Sequence, residues 1–463
     1  MSWPRSLRAA GRAAATSAKP PVFEYGATSA ATNRTLTDRR FCQSGGSHGS
    51  VPATVPPVAG VVFVAPYFLP TTNRFMAAVA DLPGVAVGLI SHDPVEKLPS
   101  EIRSRLAAHQ QVRDALETDQ LLQAVQALAP RLGGVSRILG PLEELQVPLA
   151  EVRGRLGIEG VDASTAANFR DKNRMKGVLR EHGIPCARHL LVGDAQSARE
   201  FVSASGLPVV AKPPAGSGSR NTFRLNTPQQ VEEWLHWSPP SPDRPTLLEE
   251  FIVGDEHAFD CVFLDGRAIW WSITRYHPTP LEVMENPWIQ WAAILPRDIS
   301  GPEYAGIREA GPAAIATLGL RTGLVHLEWF RRADGTVAIS EAAVRPPGAQ
   351  FSTLISYAHD FDLYRAWARL MVFGEFSPPQ RLFAVGAAYL RGQGTGRVKA
   401  IHGLERAQSE VAGLVIEVKL PHQGQAGSGH YEGEGYVIVR HPQTAVVERA
   451  VAAIISNVEV ELG

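Results

Sequence analysis

The hydrophobic positions of this chain come in short continuous runs separated by amphipathic stretches. Residues 60–66 form an apolar run of the length and type that makes a buried parallel strand. A helical pattern follows over 72–81, and 85–90 is a second strand-like run. Helical spacing is predicted over 99–109 and 118–132, then a third strand over 135–139 and an amphipathic segment over 143–156. Strand and helix alternate, which predicts an open α/β domain over residues 58–160. Its first strand-to-helix turn, 66–71, carries no G-x-G-x-x-G, so a dinucleotide-binding Rossmann site is not supported there.

A second block runs over 161–376 and a third over 377–463. The third holds predicted strands at 383–390, 415–420 and 435–440, a Gly-rich stretch at 392–396, and a closing helix over 444–455. No internal repeat is visible. Residues 1–57 break the pattern: they are rich in Ala, Ser, Thr, Gly and Pro, and Arg5, Arg8 and Arg12 stand without acidic neighbours. This tail resembles an organelle transit peptide. A disordered tail and a start assigned too far upstream are the simpler readings, and the tail is left out of the fold.

Composition narrows the function. The 463 residues are 44% hydrophobic and 20% charged, with a formal net charge of -1. That balance gives no support to a polyanion partner such as nucleic acid. No run reaches the ~18 apolar residues of a membrane span. Cys42, Cys186 and Cys261 form no C-x-x-C pair, which excludes a disulfide scaffold and a Cys-rich zinc site. A cytoplasmic, multidomain protein is expected.

The chemistry concentrates in the second block. Residues 207–212 read as a strand ending in Lys212, followed at once by a Pro- and Gly-rich stretch through Gly216, Ser217, Gly218 and Ser219. Glycines let backbone N–H groups approach a phosphate chain, and a strand-end lysine neutralises it; a plain surface turn is the alternative. A strand over 246–252 then delivers Glu249 and, seven residues on, Glu256. These acids suit an exocyclic amine and ribose hydroxyls, or else a solvated surface. Two further strands, 323–330 and 336–344, flank Asp334-Gly335, a two-residue hairpin signal. That turn places Glu328 opposite Glu341 and His326 opposite Ala343. Facing carboxylates repel within a sheet, and a divalent cation compensates them well. Arg345 follows on the same strand, positioned to fork onto a carboxylate or phosphoryl group.

Together these residues resemble the ATP-grasp enzymes. The match covers the three blocks in order, and its motifs fall in the second: Asp171-Lys172 with Gly183-Ile184-Pro185, Lys212 with its glycine loop, Glu249 to Glu256, and Glu341-Ala342-Ala343-Val344-Arg345 in place of E-x-N-x-R. The resemblance implies an α/β fold of the ATP-grasp type, with an N-terminal open α/β domain, a two-subdomain nucleotide-binding core and a small C-terminal α+β domain. It implies that Lys172 and Lys212 meet ATP phosphates under a flap formed by Gly216, Ser217, Gly218 and Ser219. Glu249 and the backbone at Phe251 and Ile252 would take the adenine, and Glu256 the ribose. Glu328 and Glu341 would hold Mg²⁺ or Mn²⁺, with Arg345 and Lys212 at the reacting phosphoryl group. The motif's Asn is Ala343 here, which leaves one or two ions open. Arg275, and Arg345 again, are assigned to the substrate side, and the 276–291 segment with Trp288 and Trp291 either walls the substrate or packs. Gly140-Pro141-Leu142-Glu143 and residues 341–348 look closer to amino-acid and dipeptide ligases. The expected function is an ATP-dependent carboxylate–amine ligase working through an acylphosphate. Its partners would be a small carboxylate and an amine, and a homodimer is expected. A bicarbonate-activating enzyme similar to biotin carboxylase and an ATP-binding sensor without turnover are the alternatives; Ala343 keeps the second open.

Overall fold

A computed structural model describes residues 59–216, 221–286 and 289–463. The tail of residues 1–57 lies outside the described residues, as do Ser217, Gly218, Ser219 and Trp288.

The first apolar run forms β1 (Ala59–Val64). Around it stand β2 (Val85–Ser91), β3 (Ala108–Gln111) and β4 (Arg137–Leu139), in the all-parallel order β3-β2-β1-β4. Continuous hydrophobicity in β1 is needed because both its faces are covered. Val61 and Phe63 pack with Phe75 and Met76 of helix Pro70–Ala80. Val62 and Val64 pack with Leu121 and Val125 of helix Thr118–Leu132. At Gly60 a Cβ would lie 1.9 Å from the Gly134 carbonyl oxygen, so only glycine lets the next loop cross here. The helix predicted over 99–109 is a correction: one turn forms, Ser100–Arg103, and the chain then makes β3. Only Ala108 of that edge strand is buried, and its pairing with β2 overrides a sequence without β-branched residues.

The second block opens with a four-stranded antiparallel sheet in the order β5-β8-β6-β7, from β5 (His189–Val192), β6 (Val209–Lys212), β7 (Phe223–Leu225) and β8 (Thr246–Glu250). The remaining long strands are β9 (Gly254–Leu264), β10 (Arg267–His277), β11 (Trp291–Leu295), β12 (Gly323–Arg332), β13 (Val337–Ala343) and β14 (Ala384–Leu390). After them come β15 (Gly392–Gln393), β16 (Val398–His402), β17 (Val415–Lys419), β18 (Gly435–His441) and β19 (Glu459–Leu462). One antiparallel sheet of eight strands runs β13-β12-β9-β10-β11-β14-β18-β17. It continues across residue 376, because β14 pairs with β11 from Trp291↔Tyr389 to Leu295↔Val385. Helix Leu363–Phe373 joins this sheet to the first: Phe75 meets Tyr364 and Trp367 with ring centroids 4.6 and 4.9 Å apart.

The β12–β13 hairpin has the expected pairs, Glu328↔Glu341 and His326↔Ala343, reached by a different turn. Arg332 N–H donates to the Thr336 carbonyl at 2.9 Å, so three residues, not two, make the loop. That shifts the register by one, to Phe330↔Ala338 and Arg331↔Val337. A bulge between Glu328 and Trp329 then shifts it back. Strand alternation does the rest: Glu328 and His326 face the cleft, while Trp329 points the other way and stacks on His257 at 4.6 Å and 21°.

Burial in that stack holds the His257 imidazole down at about 4, and burial likewise holds His277 at about 4. Both are depressed below the unfolded value of ~6.5. Their neutral forms therefore support the fold fully above pH 6.5, and that support is lost as the pH falls through about 4. Thermal melts should drop steadily between these pH values. His257→Phe, which keeps a ring on Trp329, should flatten part of the drop; an unchanged acid slope would remove His257 from the cause.

Candidate active site

The cleft lies between the β5-β8-β6-β7 sheet and the eight-stranded sheet. It has a volume of about 440 Å³, and it is lined by Lys172, Lys212, Gly216, Glu249, Phe251, Ile252, Glu256, Glu328, Glu341 and Arg345. The motif residues, scattered over the second block, thus converge on one cavity.

Its floor is a set of buried ions. Asp171 caps helix Lys172–Glu181, accepting from the Asn173 and Arg174 N–H groups, and so fixes the first turn that carries Lys172. Lys172 Nζ is 3.0 Å from Glu341 and 2.9 Å from the Gly216 carbonyl. Four residues on, and on the same helix face, Lys176 is completely buried. Its Nζ lies 3.4 Å from Glu249 Oε1, and Lys212 Nζ lies 2.9 Å from Glu249 Oε2. Burial penalises the Glu249 charge, but the two ammonium groups outweigh it and hold its pKa below the usual range. The Lys176 ammonium is shifted down, chiefly by burial. Lys212 is shifted up: burial opposes its charge, and Glu249, Glu341 and Glu328 overcome that. Sequence reasoning missed Lys176. Its i, i+4 spacing from Lys172 was the available signal, but the face of a helix that goes inward depends on its partner.

The acids on the opposite sheet differ in their balance. Burial disfavours the Glu328 charge, but His326, Lys172 and Arg345 more than offset this and lower its pKa. Burial raises Glu341 despite Lys172, with Glu143 and Glu328 adding to the rise. Glu256 is pushed well up by burial, then by Glu328. Three neighbouring carboxyls with this shortage of positive charge fit one divalent cation on Glu328 and Glu341, which would keep water and phosphate oxygens as its other ligands. Among the described residues no cluster of three or more His, Cys, Asp or Glu forms a cage, as a zinc site requires. A second ion finds no donor at Ala343, which is buried opposite His326. His326 itself is held by Asp260, Nδ1 to Oδ1 at 2.7 Å, and sends Nε2 to within 3.7 Å of Glu328.

Arg345 is held as well. Its Nε and Nη2 donate to Glu143 Oε2 at 3.2 and 2.9 Å, and Arg170 donates to Oε1 at 2.8 Å. Glu143 follows β4, where β1 and β4 end side by side, the crevice where open α/β sheets place their ligands. Phe251 gives its N–H to the Pro208 carbonyl at 3.2 Å, and Arg224 lies 4.0 Å above its ring. Arg275 is a correction. It alternates with the cleft-lining Tyr276 along β10, so it faces away, donating to Tyr304 Oη at 2.5 Å and to Glu448 at 3.1 Å. Among the cleft residues that the sequence left unassigned are Phe351 and Tyr431, the second from the third block.

No family model matches the chain. It is 25% identical to an L-arginine-specific L-amino acid ligase of Bacillus subtilis over 275 residues, 58% of this chain and 66% of the relative. It is 27% identical to a D-alanine–D-alanine ligase of Methylocella silvestris over 215 residues, 43% and 61% of the two. The matches therefore span less than two thirds of these relatives' own lengths. A solved L-amino acid ligase from Bacillus licheniformis superposes on 88% of this chain and 99% of its own, with a TM-score of 0.68 and 16% identity. The expected fold is the observed one.

Breaking a buried ion cluster from one side costs about 3 kcal/mol or more. Lys176→Ala should lower the urea unfolding free energy by about that amount. A loss of less than ~0.5 kcal/mol, the size of a surface change, would show that Lys176 contributes no charge to the triad.

Proposed function

We propose that this chain, an ATP-grasp protein by fold, joins a carboxylate to an amine at the cost of ATP. The observation that carries this reading is the facing pair Glu328 and Glu341 in one cleft with Lys172, Lys212 and Arg345. In phosphoryl transfer the protein mainly positions groups and stabilises charge, and this cleft supplies the means for both.

ATP would lie between the two sheets, its adenine along Phe251 and Ile252 beside Glu249, and its ribose hydroxyls on Glu256. Glu256 lines the same cavity, and a carboxylate accepts hydrogen bonds from hydroxyls. Lys172 and Lys212 would neutralise the phosphates, with Gly216 and the neighbouring Ser217, Gly218 and Ser219 above them. Glu328 and Glu341 would hold Mg²⁺ or Mn²⁺, which neutralises phosphate charge when bound. A carboxylate oxygen of the substrate attacks the γ-phosphorus, the bond to the β-phosphate oxygen breaks, and ADP leaves. The acylphosphate then meets the amine. The nitrogen attacks the carbonyl carbon, phosphate departs, and the nitrogen loses a proton to give the amide. Arg345, held by Glu143, would stabilise negative charge on the transferred group.

Glu328→Gln and Glu341→Gln should each reduce carboxylate- and amine-dependent ADP release by at least about 100-fold, the scale of losing one electrostatic stabiliser. Circular dichroism should stay unchanged. Normal turnover in both variants sinks the assignment of these acids. Tight ATP binding by the wild-type chain, with no release across a broad panel of acids and amines, would favour the sensor reading.

A further inference from the structure

The cleft changes character along its length. Around Phe251 its apolar lining includes the aliphatic side chains of Val210, Ile252, Val253 and Leu281. Around the reacting groups the large apolar side chains are all aromatic: Tyr276, Trp291, Phe351 and Tyr431. All four rings line the same cavity as Glu328, Glu341 and Arg345. The rings thus belong both to the core of the large sheet and to the wall of the cleft.

They form one connected box. Trp291 meets Tyr431 edge to face at 4.8 Å and 81°, and Phe351 at 6.0 Å and 52°, while Tyr276 stacks on Phe351 at 5.6 Å and 22°. The remaining apolar lining here, Ala343, Gly348 and Ala349, is small; Tyr276, Trp291 and Phe351 are themselves buried, and half-buried Tyr431 is the most exposed of the four rings. Trp291 Nε1 is buried and has no hydrogen-bond acceptor among the described residues, so a donor stands ready at this end.

The box is assembled from three places in the chain. Tyr276 and Trp291 come from adjacent strands of the eight-stranded sheet. Phe351 starts a helix after Ala349 and Gln350, whose φ angles of 48° and 62° are unusual for residues with a Cβ. Tyr431 comes from a loop of the third block, braced by Ser428 N–H on Glu434 at 2.8 Å. Aromatic rings favour a planar aromatic guest over an aliphatic one, through edge-to-face and offset contacts.

We propose that the acid activated in this cleft carries an aromatic or heteroaromatic group, lying against Tyr276, Trp291, Phe351 and Tyr431, with its carboxylate towards Arg345. This rests on the ligase reading. The binding test is calorimetry on the full chain with L-phenylalanine and 3-phenylpropionate, set against L-leucine, 4-methylpentanoate and L-glutamate. At least one aromatic acid should bind about tenfold more tightly than its aliphatic counterpart, the size of one or two aromatic contacts. Tyr431→Ala should cut that preference below about threefold, and Tyr431→Phe should keep it. Phe351→Leu provides a second variant should Tyr431→Ala fail to fold, with thermal melts checking each. Equal or tighter binding of the aliphatic or acidic probes, no binding by any probe, or a preference that survives both substitutions overturns the proposal. ADP release with the same acids separates the two readings. Aromatic acids that bind without release under any amine defeat the ligase and leave the box. Release that prefers aliphatic acids defeats the box and leaves the ligase.

Discussion

Glu249 is the constraint from which the rest of the cleft follows. A carboxylate removed from water is costly unless charges and donors surround it. Here the neutralisation comes from Lys176 on a helix and Lys212 at a strand end. The triad therefore fixes the distance between helix Lys172–Glu181 and the β6–β8 pair. Lys172 sits one helical turn before Lys176, so the same clamp carries its ammonium to Glu341 on the facing sheet. The Glu143–Arg345 pair repeats the device between the first sheet and the end of β13. Two buried ion clusters, each spanning separate elements, thus hold the walls of the cleft in register.

Much of this arrangement could be read from the chain, because its motifs lie on elements whose periodicity is strong. β1 and β2 are nearly all apolar, and both were legible as buried strands. The facing of Glu328 and Glu341 was anticipated for an incomplete reason. Asp334-Gly335 makes a looser turn, and the bulge that restores the pairing has no signature in a single sequence. The strand β3 was missed because its stability comes from a neighbour and not from its own side chains. Arg275 was misplaced by one step of a two-residue period, which is enough to move a side chain from one sheet face to the other.

Lys176, Glu143 and Tyr431 show a different limit. Each is distant in sequence from the residue it serves: Glu143 lies 202 positions from Arg345. Local patterns reveal which residues can go inward, and long-range packing decides which of them meet. Ala343 is an intermediate case. Its departure from the motif was visible, but His326 opposite it, oriented by Asp260, became interpretable only with the sheet in hand.

The eight-stranded sheet has a consequence for how such a protein can be taken apart. β11 and β14 share a ladder across residue 376, so the third block is not an appendage joined by a linker. Cutting the gene there would expose the β11 edge to intermolecular pairing and would remove Tyr431 from the cleft. Recombination between relatives is therefore expected to succeed where it exchanges the β5-β8-β6-β7 sheet, which forms no ladder with the larger sheet. The last three strands of that larger sheet, β14, β18 and β17, must be inherited together with β11, the strand they extend.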